Sequence, residues 1–204
     1  MKTLLIATSN PGKLAEIKLF LGDLPVALVG LADVGIGKNA DETGDSFREN
    51  AVIKARYCAL KSGLPTIADD GGLEIDALGG EPGVRSHRWI HRDRDDDDEE
   101  LIAYTMEKMK NIPQNMRQAQ LRVVLALVLP DKRVFTAEAK IRGVIPTKAS
   151  ASRTKGFPYR SILYLPAIDK FYNQDELTSQ ENERYNHRKK ALDRLKPIIR
   201  TYVC

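Results

Sequence analysis

The chain has little of what marks secreted, membrane-spanning or zinc-binding proteins. Its 204 residues include two cysteines, Cys58 and Cys204, which match no zinc spacing and are typical of a reducing compartment. The longest apolar run, VVLALVL at 123–129, is far too short to cross a bilayer. The opening MKTLLIATSN lacks the length of a signal-peptide core. We therefore expect a cytoplasmic protein that does not associate with membranes.

Internal repeats are also absent, and the composition is that of an ordinary globular protein. Apolar residues make up 42% of the chain and charged residues 29%, which predicts a single domain of residues 1–204, or two small lobes. The net charge of +4 favours an anionic ligand only weakly, because surplus surface lysine also explains it.

One low-complexity patch, RDRDDDDEE, ends in a run of acids at 95–100. Acids complement the dipole at a helix N-terminus, so we predict a helix from here to about Met109, with a metal-binding acidic cluster as the alternative. The nearby HRWIH at 87–91 places two histidines four residues apart, but a zinc site needs further ligands, and the sequence pattern assigns none.

Strand and helix patterns interleave, which predicts an α/β fold that includes an antiparallel hairpin. A first helix is expected to end at Gly22, and a second to run from the capping box of Ser46 and Glu49 to Gly63. A last helix opens with another capping box at Thr178 and runs to about Pro197. Predicted strands lie at 3–8, 26–31, 65–69, 72–78, 119–129, 133–145 and 161–166.

The first candidate motif is TSNPGK, which follows a predicted strand and opens a helix. Free backbone N–H groups at a helix N-terminus attract phosphate oxygens, and a lysine there adds a mobile positive charge. A plain capping turn is the alternative. The candidate phosphate-binding residues are Thr8, Ser9, Asn10 and Lys13.

The second motif is DETGDSFRENAVIKA. Asn50 and Lys54 are four residues apart and share one helix face, while Glu42 precedes the helix. The functional interpretation has Lys54 reach back over a phosphate site, and the alternative is a solvated helix face.

The third motif is TIADDGGLEID, in which an apolar run meets Asp69 and Asp70. Two neighbouring carboxylates at a strand end suit a hard cation such as Mg²⁺, whose charge offsets their repulsion. One of them can also orient or deprotonate an attacking water. Gly71 and Gly72 would let the backbone approach a ligand closely. An Asp-Asp-Gly turn between two strands is the alternative.

The fourth motif combines GFPYRS at 156–161 with NHRKKAL at 186–192. Phe157 and Tyr159 can stack on a base, and His187 and Arg188 can donate to a keto oxygen on its edge. Core aromatics beside a basic helix surface are the alternative.

The order and spacing of four blocks resemble the inosine triphosphate pyrophosphatase family, also called non-canonical purine nucleoside triphosphate pyrophosphatases. The blocks are IATSNPGKLAEIK, ETGDSFRENAVIKA, ADDGGLEIDALGGEPGVRS and NHRKKAL, and the resemblance extends from Leu4 to Leu195. It implies an elongated mixed β-sheet flanked by helices, with two lobes and a central substrate cleft. It also implies a homodimer that uses Mg²⁺ to convert ITP, dITP and XTP to the monophosphate and pyrophosphate.

The resemblance also implies roles for single residues. Thr8 to Lys13 would hold the phosphates with help from Lys54. The implied metal residues are Glu42, Asp69 and Asp70, of which Glu42 and Asp70 would bind or organise the ion. Asp70 matches the catalytic acid of the family, and Asp69 supports it. Gly71 lies in the substrate site where the family usually has serine.

The base-binding end departs from the family pattern, which is usually GFGYDP. Pro158 and Arg160 replace a glycine and an aspartate, and Asn182 stands where the family has a lysine. On one continuous helix Asn182 and His187 would point roughly 140° apart, so we expect the helix to break near Asn186, which is a good N-cap.

Two other functions remain open at this point. Arg160 and Asn182 could shift the base preference while the same bond is hydrolysed. A nucleotide- or RNA-binding module without turnover is the second, although the chain has no nucleic-acid fold signature and we expect no stable nucleic-acid partner.

Overall fold

The computed structural model describes residues 2–38 and 40–204. Within them the chain forms an α/β fold, as predicted, with a mixed seven-stranded sheet in the order β2-β1-β3-β4-β5-β6-β7. The strands are β1 (Thr3–Ile6), β2 (Ala27–Gly30), β3 (Thr66–Ile75), β4 (Gln118–Val128), β5 (Val134–Val144), β6 (Tyr164–Leu165) and β7 (Lys170–Phe171). The helices are α1 (Pro11–Leu21), α2 (Phe47–Ser62), α3 (Asp98–Lys108), α4 (Ser179–Tyr185) and α5 (His187–Tyr202).

The sheet has a parallel part and an antiparallel part. β1 pairs in parallel with both β2 and β3, whereas β6 is antiparallel to β5 and to β7. The predicted hairpin is confirmed: β4 and β5 are neighbours, and the backbone N–H of Leu129 donates to the carbonyl of Arg133 across the turn.

Local capping places the helices where the sequence predicted them. Ser46 accepts from the backbone of Glu49 at the start of α2, and Gly63 ends that helix in the left-handed conformation. The acidic patch opens α3, because Asp97 and Glu100 form a capping box. The predicted end of the last helix near Pro197 is wrong, since α5 continues through this proline to Tyr202.

The predicted break in the C-terminal helical region is confirmed. Thr178 and Glu181 form the capping box of α4, and Asn186 then has an extended backbone (φ −62°, ψ 112°) before α5 begins at His187. Asn182 and His187 therefore belong to two different helices.

The predicted strand end at Asp69 and Asp70 is wrong, because β3 runs straight through both residues and both glycines. A side chain at Gly72 would collide with Ser86, whose Oγ lies 1.9 Å from an ideal Cβ position and accepts a hydrogen bond from the backbone of Leu73. Gly72 therefore serves close packing within an extended strand, and neither a turn nor a strand end forms here.

We expect Gly72→Ala to lower the free energy of unfolding by about 1–3 kcal/mol, the usual cost of overpacking. Gly37→Ala is the matched control, because an added Cβ there meets no atom within 4 Å. Urea denaturation of both variants measures the difference. Equal stability of the two variants would show that the Ser86 contact does not determine the residue at position 72.

The predicted strand at 161–166 is mostly wrong. Residues Pro158–Ser161 form a 3₁₀ turn, and strand structure is limited to Tyr164–Leu165. The turn and the two residues after it are buried, and Tyr159, Ile162 and Leu163 contribute the large apolar side chains of this segment to the core of unit 2. Packing of three large side chains thus overrides the local β-propensity.

The chain folds as two compact units, each with its own core. Unit 1 comprises residues 1–70, 123–139 and 188–204, and unit 2 comprises residues 71–122 and 140–187. Leu4, Ile67 and Leu125 belong to the core of unit 1, and Leu73 and Tyr172 to that of unit 2. None of the described helices is sufficiently long and apolar to traverse a membrane.

Both cysteines are free thiols. Cys58 is buried in α2, and this burial raises the pKa of its thiol to about 11. A thiol that stays protonated at neutral pH is a poor nucleophile and a poor metal ligand, so Cys58 is a core residue.

Candidate active site

The candidate phosphate-binding turn of unit 1 follows β1, at the end of the parallel strands. β1 ends at Ile6 opposite Ile67, so β3 continues past it and carries Asp69 and Asp70 beyond the edge of its neighbour. Ligand sites in parallel sheets form at this carboxyl end of the strands. The two aspartates thus occupy the predicted kind of edge, although they lie in the middle of their own strand.

The turn caps the N-terminus of α1. The Asn10 side chain accepts from the backbone of Lys13, and the Thr8 hydroxyl accepts from the backbone of Asn10. Ser9 is exposed at the tip of the turn. These polar groups surround the positive end of the eleven-residue helix α1.

A buried ion network holds Asp69. Its Oδ2 lies 3.3 Å from Lys13 Nζ and accepts from Arg188 through both Nε and Nη2, at 3.2 and 3.0 Å. The Arg188 guanidinium also contacts Glu16 on α1, through Nη1 and Oε2 at 2.5 Å. Arg188, which the sequence predicted as a base reader, therefore lies among the carboxylates of unit 1 in this structure.

A second set of charges surrounds Asp70. The Lys54 ammonium donates to Asp70 Oδ1 at 3.0 Å and to Glu42 Oε1 at 2.6 Å. Lys54 and Asp70 are buried, and Glu42 is partly exposed. Asn50, on the same helix face as Lys54, accepts from the backbone of Gly44 and so holds the segment that carries Glu42. The polar face of α2 is thus buried around carboxylates, and the solvated-face alternative is wrong.

Successive side chains in a strand point to opposite faces, and this explains why the two aspartates have different partners. In each aspartate, one carboxylate oxygen takes no part in these contacts. Asp69 Oδ1 and Asp70 Oδ2 are buried and have no hydrogen-bond partner among residues 2–38 and 40–204. A buried carboxylate oxygen without a partner costs free energy, and a hard cation would satisfy it.

The charges of this network do not balance. The ion pairs described above join seven residues, which are Lys13, Lys54, Arg188, Glu16, Glu42, Asp69 and Asp70. Three cations face four carboxylates, so the network has a net charge of −1 when all are ionised. A divalent cation would change this to +1, which complements a polyphosphate.

The pKa values of the two aspartates shift in opposite directions. Burial raises the pKa of Asp70 and Glu42 adds to the rise, although Lys54 opposes it. Burial would also raise the pKa of Asp69, but Lys13 and Arg188 hold it well below its ordinary value. Asp69 is therefore a permanent anion that fixes two cations, whereas Asp70 is the carboxylate whose ionised form is poorly stabilised without a further positive charge.

The aromatic motif lies in unit 2, and its residues differ in exposure. Tyr159 is buried in the core and donates its hydroxyl to the carbonyl of Ser86, so its ring packs against core side chains. Arg160 is also buried, with its guanidinium 4.0 Å from the centre of the Phe157 ring and 5.2 Å from that of Tyr172. For Tyr159 the core-aromatic alternative is therefore correct in this structure.

The other residues that the sequence predicted near the base also lie in unit 2. The His187 ring contacts the hydroxyl of Tyr172, and the Asn182 carbonyl oxygen accepts from the amide of Asn186. Pro158 opens the buried 3₁₀ turn, and Gly71 lies in β3 directly after Asp70.

Two further polar features are separate from these residues. His91, Asp96 and Glu100 lie close enough to share a metal, but Asp96 already accepts from the backbones of Ile90 and His91 and from the His91 ring. A cavity of about 490 Å³ in unit 2 is lined by Arg117, Val144, Lys148, Tyr164 and Phe171, among others, and contains none of the predicted site residues.

Glu16 and Tyr172 are the contacts that sequence reasoning missed. Glu16 follows Lys13 by three residues on α1, so helical spacing would have placed both on one face. Tyr172 follows a two-residue strand and carries no motif, and nothing local distinguishes it from a core aromatic.

Known proteins resemble this chain over nearly its whole length. The model of the Ham1 family matches residues 4–198. The dITP/XTP pyrophosphatase of Yersinia pseudotuberculosis is 37% identical over 202 residues, which cover 98% of this chain and 99% of that protein. The dITP/XTP pyrophosphatase of Thermus thermophilus is 41% identical over 188 residues, or 92% of this chain and 86% of the other.

Solved structures give the same result. The HAM1 protein from Coxiella burnetii has a TM-score of 0.84 at 31% identity and covers 98% of both chains. The Ham1 protein of Staphylococcus aureus has a TM-score of 0.82 at 30% identity, covering 98% of this chain and 99% of that one. Sequence and fold agree over nearly the whole length, and the chain therefore belongs to the Ham1 family.

Proposed function

We propose that this protein is a Mg²⁺-dependent nucleoside triphosphate pyrophosphohydrolase that converts dITP, ITP and XTP to the monophosphate and pyrophosphate. Relatives with 37% and 41% identity are named dITP/XTP pyrophosphatases. The observation that carries the proposal is the buried charge network of unit 1, with its net negative charge and its two unpartnered carboxylate oxygens. Removing such triphosphates would clear damaged nucleotides from the pool.

The donor set fits a hard divalent cation. Glu42, Asp69 and Asp70 supply carboxylate oxygens, the ligand type that Mg²⁺ prefers. Glu42 and Asp70 share the Lys54 ammonium, and Asp70 Oδ2 is one of the two buried carboxylate oxygens without a hydrogen-bond partner among the described residues. Asp69 is already held by Lys13 and Arg188, so Glu42 and Asp70 are our choice for direct ligands. When bound, the ion would neutralise phosphate charge and acidify a water molecule.

The residues of unit 1 have distinct roles in the proposed step. Asp70 orients a water and accepts its proton as the water oxygen bonds to the α-phosphorus. The bond from the α-phosphorus to the bridging oxygen breaks, and pyrophosphate leaves with that oxygen. Lys13 and Lys54 stabilise the growing charge on the leaving group. The N–H groups and side chains of Thr8, Ser9 and Asn10 hold the phosphates in place.

The residues of unit 2 are proposed to read the base. Phe157, His187 and Arg160 offer an aromatic face and N–H donors, with Pro158, Tyr159, Asn182 and Gly71 shaping their surroundings. A shifted base preference is the second candidate, and the position of Arg160 favours it. This cation is packed on the Phe157 and Tyr172 rings, where the family pattern has an aspartate.

A panel of triphosphates with pyrophosphate detection tests the proposal. We expect release from dITP, ITP and XTP that needs Mg²⁺ and stops with EDTA, with kcat/KM at least about 100-fold above that for dATP, because a site built for hydrogen bonding rejects a mismatched edge strongly. A pyrimidine triphosphate as the best substrate would instead establish the shifted preference. Salt-sensitive oligonucleotide binding without pyrophosphate release would contradict hydrolysis and favour the binding module.

Three further expectations belong to the same proposal. Residues 1–204 act as a single pyrophosphatase domain, the protein works as a homodimer, and it acts in the cytoplasm on free nucleotides. Light scattering of the purified protein measures the oligomeric state directly.

A further inference from the structure

Tyr172 lies outside the four sequence motifs. Its ring is buried in the core of unit 2, with 1% of the residue exposed. Its hydroxyl oxygen lies 3.2 Å from the backbone nitrogen of His187 and 2.9 Å from Nδ1 of the His187 ring. One phenol thus contacts both the backbone and the imidazole of the same residue.

The two contacts constrain where the protons lie. A backbone N–H can only donate, so the Tyr172 oxygen accepts from the main chain of His187. That oxygen can still donate its own hydrogen to Nδ1, and in this arrangement Nδ1 acts as the acceptor. A neutral imidazole that accepts at one ring nitrogen carries its proton on the other, here Nε2.

The Tyr172 ring also contacts a cation. The Arg160 guanidinium lies 5.2 Å from the centre of this ring. The Tyr172 side chain therefore contacts both groups that can donate to a base, Arg160 through its ring face and His187 through its hydroxyl.

We propose that Tyr172 is a positioning residue that holds His187 as the Nε2–H tautomer and thereby favours bases with a carbonyl oxygen over bases with an amino group. This inference rests on the proposed function. An Nε2–H group and a guanidinium are both donors, and a keto oxygen accepts from either one. The exocyclic amino group of adenine is itself a donor and would meet them unfavourably.

The tautomer is measurable on the unmodified protein. The chain has three histidines, so a two-bond ¹H–¹⁵N correlation spectrum at about pH 8 resolves them. His187 is expected as the Nε2–H form. His91 is an internal reference for the opposite tautomer, Nδ1–H, because its Nδ1 lies 2.8 Å from the Asp96 carboxylate and donates to it. The variant His187→Gln identifies the signals.

Tyr172→Phe removes the hydroxyl and keeps the ring beneath Arg160. We expect the His187 signals to shift towards a mixture of tautomers, and the ratio of kcat/KM for dITP to that for dATP to fall about 3- to 10-fold, the value of one hydrogen bond. Tyr164→Phe is the matched control. It removes a hydroxyl of unit 2 that bonds Asp169 at the exposed surface, and both readouts should stay at wild type.

Three results would overturn the inference: an Nδ1–H or doubly protonated His187 in the wild type, an unchanged His187 spectrum in Tyr172→Phe, or an altered spectrum with an unchanged base ratio. Failure of the proposed function looks different. In that case the wild type releases no pyrophosphate from dITP, and the spectrum still decides which tautomer Tyr172 selects.

Discussion

Asp70→Asn is expected to lower kcat for pyrophosphate release from dITP by about 1,000-fold or more, because the change removes both a proposed metal ligand and the acceptor of the water proton. Asparagine has the same shape and can still accept from Lys54, so positioning of the lysine survives. Asp76→Asn is the matched control, an aspartate of the same segment whose exposed carboxylate pairs with Arg142. Turnover of Asp70→Asn within tenfold of wild type would remove Asp70 from the mechanism.

The same variant is expected to be at least as stable as the wild type when no metal is present. The folded structure raises the pKa of Asp70, so the folded state binds the proton more tightly than the unfolded chain does. Stability is then lost as the pH rises from the ordinary carboxyl value through the raised one. At neutral pH the ionised Asp70 costs stability, and asparagine does not carry this cost.

Thermal melts with EDTA and with Mg²⁺ separate these effects. In EDTA the melting temperature of Asp70→Asn should equal or exceed that of the wild type by a few degrees, since about 1 kcal/mol corresponds to about 2–4 °C at this size. Saturating Mg²⁺ should raise the wild-type melting temperature and leave that of the variant almost unchanged. An equal Mg²⁺ response of both proteins is the outcome that would place the ion elsewhere.

Arg188→Met is expected to lower the free energy of unfolding by about 3–5 kcal/mol, the cost of leaving buried carboxylates without their cation. Arg188 is 4% exposed and pairs with Glu16 and Asp69. The double variant Glu16→Gln, Arg188→Met should be more stable than the single one, because it removes one of the two stranded charges.

Arg200→Met provides the control on the same helix. Arg200 pairs with Asp23 at the surface, where both side chains are about half exposed, and such pairs contribute about 0–1 kcal/mol. Urea denaturation of the three variants measures all of these effects. If Arg188→Met were as stable as Arg200→Met, the buried network would not hold α1 and α5 to the aspartates.

Local signals explain which elements could be predicted. The capping residues of α2 and α4 act on backbone groups within four positions, so the sequence contains everything that determines those helix starts. The break at Asn186 was also predictable from local signals, because asparagine is a common N-cap residue and residues five positions apart on one helix point roughly 140° apart.

The path of β3 could not be predicted from local signals. Two aspartates and two glycines in a row are typical of a turn. The strand stays extended because Ser86, fourteen residues away, packs against Gly72 and binds the backbone of Leu73. Tertiary contacts of this kind leave no trace in the periodicity of the segment itself.

The sequence predicted which residues form the site, but not which of them form ion pairs with one another. The motifs identified Lys13, Lys54, Asp69 and Asp70, and the structure joins them as lysine–aspartate pairs. The two carboxylate partners of Arg188, in contrast, are Glu16 and Asp69, which lie 172 and 119 positions away along the chain. A chain of charged residues offers many such combinations, and only the packing of α1 and α5 selects this one.

The alternation of the two units along the chain has a consequence for inheritance. The backbone passes between them after positions 70, 122, 139 and 187, so neither unit is a contiguous stretch of the gene. A single recombination event or an early stop codon cannot deliver one unit without fragments of the other. Gain or loss of one whole unit would therefore require several separate changes in the coding sequence.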